Sequence, residues 1–371
     1  MNAAESLAYW LRLTLIPGIG GETQRKLLTA FGLPEAVFSA DRSALRHVVG
    51  EKAASLLINT DTQASVEEAL CWSENPGHHL LCLADPEYPQ ALLQIPDPPS
   101  LIYVRGRLDL LNTAALAMIG SRNPTPQGIT NAERFAAALA EARLTITSGL
   151  ALGIDAAAHR GALKASGNTV AFIGTGIDRL YPAANRDLAC EIAAKGTIIS
   201  EFRLGTPPLA TNFPRRNRLI AGFSRGALVV EATIESGSLI TAHRAAEQGR
   251  EVFAIPGSIH SPQSRGCHQL IKQGAKLVET VQDVLDELQW VSAPAQLMTP
   301  PANHDKADKL LLNMGFDPCA LDDLVERSGL TAEVVSVMLL HLEMNGEVGS
   351  LPGGRYQRIS QNREPPLTDY S

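Results

Sequence analysis

The amino-acid sequence predicts an α/β protein in which an extended Rossmann-like parallel sheet lies between an N-terminal helical domain and a C-terminal winged-helix domain. Three observations predict this fold class. Amphipathic helical runs separated by glycine turns occupy the first 57 residues, short β-branched apolar runs alternate with helical stretches through the middle, and three helical stretches with a hairpin pattern follow residue 306. A chain of 371 residues is long enough for two or three such domains.

Residues 1–75 are predicted to form a helical domain of the SAM or helix-hairpin-helix type. The sequence LIPGIG at 15–20 stands just before the helical stretch Thr23–Phe31, and a glycine-rich turn between two helices can present backbone N–H groups to a phosphate. The positive charge near this turn is limited to Arg12, Arg25 and Lys26. A helical module that does not touch nucleic acid is therefore an equally open interpretation.

Residues 76–290 repeat a strand and then a helix, which is typical of a parallel sheet covered on both faces, because parallel strands need crossover connections. The predicted strands are Leu116–Ile119, Leu144–Thr147, Thr169–Ile173, Thr197–Ser200, Ala227–Val230, Val252–Ile255 and Lys276–Val278. Two further apolar runs, Leu80–Leu83 and Leu101–Val104, are expected to extend the sheet at one edge.

The last part of the chain is predicted to be a linker at 291–305, a winged-helix domain at 306–362 and a tail at 363–371. Three helices are expected over Ala307–Met314, Leu321–Ser328 and Ala332–Met344, followed by a hairpin with its turn at Pro352–Gly354. From Pro301 to Ser350 there are nine acidic and three basic residues, a balance of -6. This charge would repel a phosphate backbone, so we expect the domain to contact protein rather than DNA.

Composition argues against a secreted, disulfide-bonded or metal-binding protein. The chain is 45% hydrophobic and 19% charged, as ordinary globular proteins are, and its first residues lack the basic and apolar regions of a signal peptide. We therefore expect a cytoplasmic protein. The five cysteines are scattered without a C-x-x-C pair and the nine histidines show no H-x-x-x-H spacing. No disulfide framework, metal or cofactor is predicted.

Loops rich in Gly, Ser and Thr follow several predicted strands. Because ligands of a parallel sheet bind beyond the carboxyl ends of its strands, these loops are expected to form one anion-binding crevice. They are the segments 120–128, 148–155, 174–176 and 231–238. Glycines that serve only as tight turns would explain any one loop, but four converging loops favour the crevice.

A local excess of arginine marks the segment between Glu201 and Glu231 in a chain of net charge -7. No Asp or Glu lies between these two residues, and the segment contains Arg203, Arg215, Arg216, Arg218 and Arg225 with Phe202, Phe213 and Phe223. Guanidinium groups interleaved with aromatic rings predict the floor of a nucleic-acid groove. The competing interpretation is a helix whose apolar residues face the core while its arginines stay solvated.

Catalytic motifs are weak. Gly174–Gly176 lacks the spacing of a dinucleotide fingerprint and no strand is followed by G-K-[ST]. Ser148, Asp155 and His159 are the residue types of a nucleophilic triad, but Asp155 and His159 stand one helical turn apart. Capping by Asp155 and a local hydrogen bond of His159 are the favoured interpretation.

Several motifs together resemble the DprA family, DNA processing protein A, also called Smf. They are GSRNPTPQG, SGLALGIDAAAHRGAL, GTGIDRLYPAANRDL, TNFPRRNRLIAGFSRGALVVEATIESGSLITA and VFAIPGS. The resemblance covers the α/β region almost from end to end. It implies a non-catalytic protein that binds and protects single-stranded DNA, forms a homodimer and loads RecA onto incoming strands in natural transformation.

The resemblance also implies the site residues. Phosphates would be held by Arg122, Arg215, Arg216 and Arg218, with Phe213 and Asn217 beside them. The same pocket would be lined by Gly120, Ser121, Ser148, Gly149, Gly153 and Asn212.

The alternative is a nucleotide-processing enzyme of the phosphoribohydrolase type, which the Rossmann-like crevice also resembles. Those enzymes carry a PGG-x-GT-x-x-E loop with a catalytic glutamate, whereas the corresponding strand end reads EATIESGSLITA here. In this departure from the motif, only Glu231 or Glu235 would remain to act as the catalytic glutamate. We therefore expect no enzymatic activity.

Overall fold

The structure, a computed structural model, describes residues 3–165, 167–290 and 307–359. The predicted linker at 291–305 and the predicted tail at 363–371 lie outside these residues. The proposed domain boundaries therefore stay predictions.

Five helices come first: α1 Ala3–Leu15, α2 Gly21–Phe31, α3 Pro34–Ser39, α4 Arg42–Asn59 and α5 Gln63–Ser73. The α/β region then contains β1 His78–Cys82, α6 Gln90–Leu93, β2 Leu101–Gly106, β3 Ala115–Ile119, α7 Pro126–Glu141, β4 Thr145–Ser148, α8 Ile154–Ala165, β5 Thr169–Phe172, α9 Arg186–Lys195, β6 Thr197–Ser200, α10 Asn212–Phe223, β7 Gly226–Val229, α11 Gly237–Glu247, β8 Glu251–Ala254, α12 Arg265–Lys272, β9 Lys276–Leu277 and α13 Val281–Glu287. After residue 306 follow α14 Ala307–Met314, β10 Cys319–Ala320, α15 Leu321–Ser328, α16 Ala332–Met344, β11 Val348–Leu351 and β12 Arg355–Arg358.

Within the described residues, nine strands form one sheet in the order β1-β2-β6-β5-β4-β3-β7-β8-β9. From β6 to β9 every pair is parallel, which confirms the predicted Rossmann-like class. Strand β2 runs antiparallel to both β1 and β6. Residues 83–100 join β1 to β2 and contain only the one-turn helix α6, which is sufficient because antiparallel neighbours need no crossover.

Successive side chains of the central strand β3 point to opposite faces of the sheet, so part of the apolar core lies on each face. Ala115, Ala117 and Ile119 of β3 pack with α10, α11 and α12 on one face. Leu116 and Met118 point the other way and pack with α7, α8 and α13. All five are buried, as expected for a strand covered on both sides.

The N-terminal helices share a core with one end of the sheet. Trp10 and Leu11 of α1 are buried in the same apolar cluster as Leu80 of β1 and Tyr103 of β2. A second cluster, which includes Leu27 of α2, lies within the helices themselves. The turn between α1 and α2 is therefore held close to the edge of the sheet.

The C-terminal helices α14, α15 and α16 have the bounds that the sequence predicts, and β11 and β12 pair around the predicted turn. Strand β10 pairs with β12, which completes a small three-stranded sheet in this part of the described chain. The arrangement confirms the predicted winged helix. None of the helices in the described ranges has both the length and the apolar character needed to cross a bilayer.

Candidate nucleic-acid interface

The carboxyl ends of β3, β4, β5 and β7 meet at one edge of the sheet beside a cleft of about 550 Å³. Helices α7, α8 and α11 begin at this edge, so the positive ends of their dipoles face the cleft. Six of the predicted site residues line the cleft: Gly120, Ser121, Arg122, Phe213, Arg216 and Asn217. The structure thus brings the loop after β3 together with α10, as the sequence predicts.

Tight packing holds the loops behind this cleft. The N–H of Ser121 donates to the carbonyl of Glu231 at 2.7 Å. A Cβ on Gly153, whose φ is +78°, would lie 2.3 Å from the Ser121 carbonyl oxygen, and a Cβ on Gly149 would lie 2.5 Å from the guanidinium of Arg216. The loop after β3 therefore requires Gly153 and the side chain of Arg216 on α10 requires Gly149, whether or not a ligand approaches them.

Arg216 lies beneath the cleft and is only 4% exposed. Its Nη1 donates to the carbonyl oxygen of Gly149 at 2.5 Å and to that of Phe172, while its Nε donates to Oδ1 of Asn217 at 3.0 Å. Burial lowers the pKa of Arg216 to about 10, an effect that the negative charge of Asp155 opposes. The side chain thus stays charged at neutral pH and joins α10 to the ends of β4 and β5.

Arg122, by contrast, is exposed at the cleft. Its Cζ lies 5.9 Å from the centroid of the Phe213 ring, and that centroid lies 5.7 Å from the centroid of the Tyr181 ring. Tyr181 is 47% exposed. Asn212 anchors this end of α10 by donating from Nδ2 to the carbonyl of Gly174 at 3.1 Å. A guanidinium beside an aromatic ring that contacts a second one can hold a phosphate while a base stacks on an aromatic face.

The arginines of α10 lie on two faces of the helix, because residues three apart share a face while neighbours do not. Arg216 faces β4 and β5. Arg215 and Arg218 face Glu201 instead, and their Nη2 atoms lie 3.0 and 2.6 Å from its Oε2. Arg218 also has its Nε 2.7 Å from Oδ2 of Asp97. The four arginines that the resemblance assigns to phosphate are therefore divided between two clefts. Arg122 and Arg216 line one cleft, and Arg215 and Arg218 line the other.

Ser148, Asp155 and His159 are committed to structural contacts. The hydroxyl of Ser148 donates to a carbonyl of β3 at 2.6 Å, and the carboxylate of Asp155 accepts two N–H groups from the loop after β4 at 3.1 and 3.3 Å. Nδ1 of His159 lies 2.7 Å from Oγ1 of Thr169, and burial lowers the pKa of His159 to about 3. The favoured interpretation is wrong in its details: Asp155 accepts N–H groups of Gly149 and Ala151, which precede α8, and does not cap that helix, and His159 bonds to Thr169 of β5 rather than locally. That these residues are not catalytic stays a prediction.

Glu231 is bound to the start of α7. Its carboxylate accepts the N–H of Thr125 at 2.9 Å and the Thr125 hydroxyl at 2.6 Å, while the hydroxyl of Thr125 caps α7 through the N–H of Gly128 at 3.0 Å. Burial raises the pKa of Glu231. Within the described residues, no group of three or more His, Cys, Asp or Glu side chains is arranged to hold a metal ion.

Two family models match the chain. The model described as DNA recombination-mediator protein A matches residues 79–289, and the DprA winged helix domain matches residues 293–354. Protein Smf of Escherichia coli K12 is 40% identical over 364 residues, which are 94% of this chain and 95% of that protein. The chain belongs to the DNA recombination-mediator protein A family.

Other members of the DNA recombination-mediator protein A family are also similar. DNA processing protein DprA of Streptococcus pneumoniae is 50% identical over 208 residues, 56% of this chain and 73% of that protein. A solved structure of DprA from Streptococcus pneumoniae matches with a TM-score of 0.67 and 38% identity, over 77% of this chain and 98% of that chain. DprA from Helicobacter pylori, whose structure is described for its single-stranded DNA binding mode, matches with a TM-score of 0.53 and 30% identity, over 57% of this chain and 95% of that chain.

These matches confirm the resemblance predicted from the motifs. Three contacts at the site were not predicted from the sequence: the ring of Tyr181 beside Phe213, the pairing of Glu201 with two arginines, and the capping of α7 by Thr125. Tyr181 follows a glycine-rich strand-end loop, which is a usable signal for it. Glu201 offers no such signal, because its partners lie 14 and 17 residues away along the chain.

Proposed function

We propose that this protein binds single-stranded DNA without regard to sequence and without catalysis. One observation carries the proposal: the exposed guanidinium of Arg122 lies 5.9 Å from the ring of Phe213, which in turn contacts the exposed ring of Tyr181, at a cleft of about 550 Å³ on the carboxyl edge of the sheet. A cation next to stacking surfaces suits the phosphates and bases of an unpaired strand. The similarity to Helicobacter pylori DprA, described for its single-stranded DNA binding mode, supports the proposal.

The site residues take two roles in this proposal. Arg122 contacts phosphate, assisted by Ser121, Asn217 and the backbone N–H groups of the cleft, while Phe213 and Tyr181 stack with bases. Six further predicted residues position this surface: Gly120, Ser148, Gly149, Gly153, Asn212 and Arg216. The last two, Arg215 and Arg218, pair with Glu201 and border the other cleft. Phosphate contacts orient a strand but read no base edges, so binding is sequence-independent.

We further propose that the protein protects incoming single strands in natural transformation, loads RecA onto them and works as a homodimer. A strand held by its phosphates keeps its base edges available for pairing, which is what a recombinase substrate requires. The motifs shared with the DprA family support this role, as do the relatives named DNA processing protein DprA.

The alternative, a nucleotide phosphoribohydrolase, requires a glutamate that reaches the reacting bond. The carboxylate of Glu231 is instead occupied by two hydrogen bonds from Thr125 at the start of α7. Incubation with nucleoside monophosphates separates the two functions, because the hydrolase releases free base and the binding protein does not.

The decisive test of the proposal is Arg122→Ala measured beside Arg46→Ala. Both variants remove one positive charge. Arg46 is an exposed arginine of α4 that lines neither cleft, and its variant therefore serves as the control. Loss of a charge-assisted hydrogen bond, about 1.5–3 kcal/mol, should weaken binding of unrelated single strands about 10- to 100-fold in Arg122→Ala. The slope of log K against log salt should also become flatter by about 0.7, the value for one single-strand phosphate.

Fluorescence anisotropy with labelled oligonucleotides across a salt series measures both quantities. If Arg122→Ala and Arg46→Ala bind alike, with the same slope, Arg122 does not contact the strand and the proposal is wrong.

A further inference from the structure

The second face of α10 borders another cleft, which lies between the N-terminal helices and the sheet. It has a volume of about 450 Å³, within the range of about 300–1,000 Å³ that small-molecule sites commonly have. The turn before α2, the start of β2 and the segment after β6 all contribute to its walls. Arg215 and Arg218 therefore border a site that is distinct from the Arg122 cleft.

The N-terminus of α2 forms one part of this cleft. Gly20, the N-cap residue, supplies no side-chain hydrogen bond, so the first N–H groups of this 11-residue helix have no acceptor within the helix. A Cβ on Gly20 would meet open space, and a Cβ on Gly21 would lie 3.1 Å from Nη1 of Arg25. Backbone donors, the positive end of the helix dipole and a guanidinium thus converge, which favours a phosphate.

A second observation, independent of the helix, also indicates a ligand. The hydroxyls of Ser100 and Tyr103, Oε1 of Glu201 and Nη1 of Arg218 are buried without hydrogen-bond partners, and all four residues line the cleft. Ser100 and Tyr103 are each 2% exposed, and the side chains of Glu201 and Arg218 are 1% and 5% exposed. Buried polar groups without partners destabilise the fold, so such a cluster is typical of a site that a polar ligand completes.

The chemistry of the cluster is mixed. Arg218 can only donate, the Glu201 carboxylate accepts, and the two hydroxyls do either. Donors and acceptors side by side match the polar edge of a nucleobase, and Leu101 and Phe202 supply apolar surface in the same cleft. Among the described residues, Glu201 and Asp97 have arginine partners and Arg25 forms no ion pair, although its positive charge helps to lower the pKa of Glu22 in the same cleft.

A groove connects this cleft with the end of α10 that carries Phe213. The groove has a volume of about 420 Å³, shares Tyr103, Arg203 and Arg215 with the cleft, and reaches Asn212. A strand that leaves the Arg122 site can therefore pass around the N-terminal end of α10.

We propose that the cleft between α2 and the sheet binds one nucleotide unit, with its phosphate on the N-terminus of α2 and Arg25 and its base against the polar cluster of Ser100, Tyr103, Glu201 and Arg218. The nucleotide belongs either to the bound DNA strand, in which case the inference rests on the proposed function, or to the free nucleotide pool. Both sources present the same chemistry.

The test compares Arg25→Ala with Lys26→Ala in the full-length protein. The two residues are neighbours on α2 and lose the same charge, but Lys26 pairs with Glu22 at 2.8 Å and does not line the cleft. With an oligothymidylate of about 20 nucleotides, long enough to span more than one contact, Arg25→Ala should bind about tenfold more weakly and show a salt slope flatter by about 0.7. Equal affinities and slopes in the two variants would overturn the inference for a DNA strand.

Gly20→Asp supplies a variant that should bind poorly although it folds well. An aspartate at the N-cap satisfies the free N–H groups of α2 and puts a carboxylate where the phosphate would lie, and Asp is among the best N-cap residues. We expect a thermal midpoint at or above that of the wild type together with weakened binding. A variant that folds and binds like the wild type would refute the site.

Thymidine 5′-monophosphate titrated into Arg122→Ala separates the sources. Heat of binding that Gly20→Asp abolishes identifies a free nucleotide, and an Arg25 effect seen only with oligonucleotides identifies the strand. If Arg122→Ala weakens strand binding while Arg25→Ala and Gly20→Asp change neither strand nor nucleotide binding, the nucleotide site is wrong and the proposed function stands. If Arg25→Ala alone weakens binding, the proposed Arg122 site is wrong and the nucleotide site stands.

Discussion

Arg216→Ala should unfold the protein more easily, although Arg216 belongs to the arginine-rich segment that the sequence assigns to DNA. The reason is its burial, since only 4% of the residue is exposed. Its guanidinium donates to the carbonyls of Gly149 and Phe172 and lies close enough to Asp155 to influence the pKa of that carboxyl. Truncation leaves two carbonyls without donors and a buried aspartate without its countercharge.

The size of the effect follows from these contacts. Removal of one partner from a buried charged cluster costs about 3–5 kcal/mol, because the groups that it satisfied are left buried and uncompensated. We therefore expect the free energy of unfolding to fall by about 4 kcal/mol, a large part of the roughly 5–15 kcal/mol that stabilises a typical domain. Arg122→Ala, at an exposed position, should change this free energy by less than about 0.5 kcal/mol.

Urea unfolding followed by far-ultraviolet circular dichroism measures the change, and Arg216→Lys serves as a second variant. Lysine keeps the positive charge near Asp155 but lacks the planar fork that reaches both carbonyls, so its midpoint should lie between those of the wild type and Arg216→Ala. If Arg216→Ala unfolds at the wild-type midpoint and loses DNA binding as Arg122→Ala does, Arg216 is a phosphate contact and the structural reasoning fails.

Two further predictions concern His159 and Tyr181. Burial lowers the pKa of His159 to about 3 from an ordinary value of 6.5. Below pH 6.5 the unfolded chain therefore takes up a proton at this histidine that the folded chain does not. The stability of the fold is full above pH 6.5 and should fall by up to about 1.4 kcal/mol per pH unit below it. Urea midpoints of His159→Gln should lack this part of the pH dependence, and an unchanged dependence would contradict the buried neutral state. Tyr181→Ala should weaken single-strand binding by about 1–3 kcal/mol per stacked base, whereas Tyr181→Phe should bind like the wild type. Equal losses in the two Tyr181 variants, measured by anisotropy, would mean that the hydroxyl rather than the ring makes the contact.

Much of the fold was predictable because its signals are local. Strand β6 has the predicted bounds Thr197–Ser200, and α14, α15 and α16 also have theirs. Runs of β-branched residues between glycines and helical periodicity between caps act within a few residues, so a single sequence displays them. The direction of β2 was not predictable in this way, because antiparallel pairing with β6 joins segments that are about 90 residues apart.

The sequence by itself determined the family, the order of the elements and the arginine-rich segment that forms α10. Only the tertiary structure decided what each arginine does. Helical spacing separates Arg216 from Arg215 and Arg218, but it does not say which face meets solvent. That depends on acceptors from distant parts of the chain, Gly149 and Phe172 for Arg216 and Glu201 for the other two. A buried charge is tolerated only where folding supplies such partners, and no local pattern encodes them.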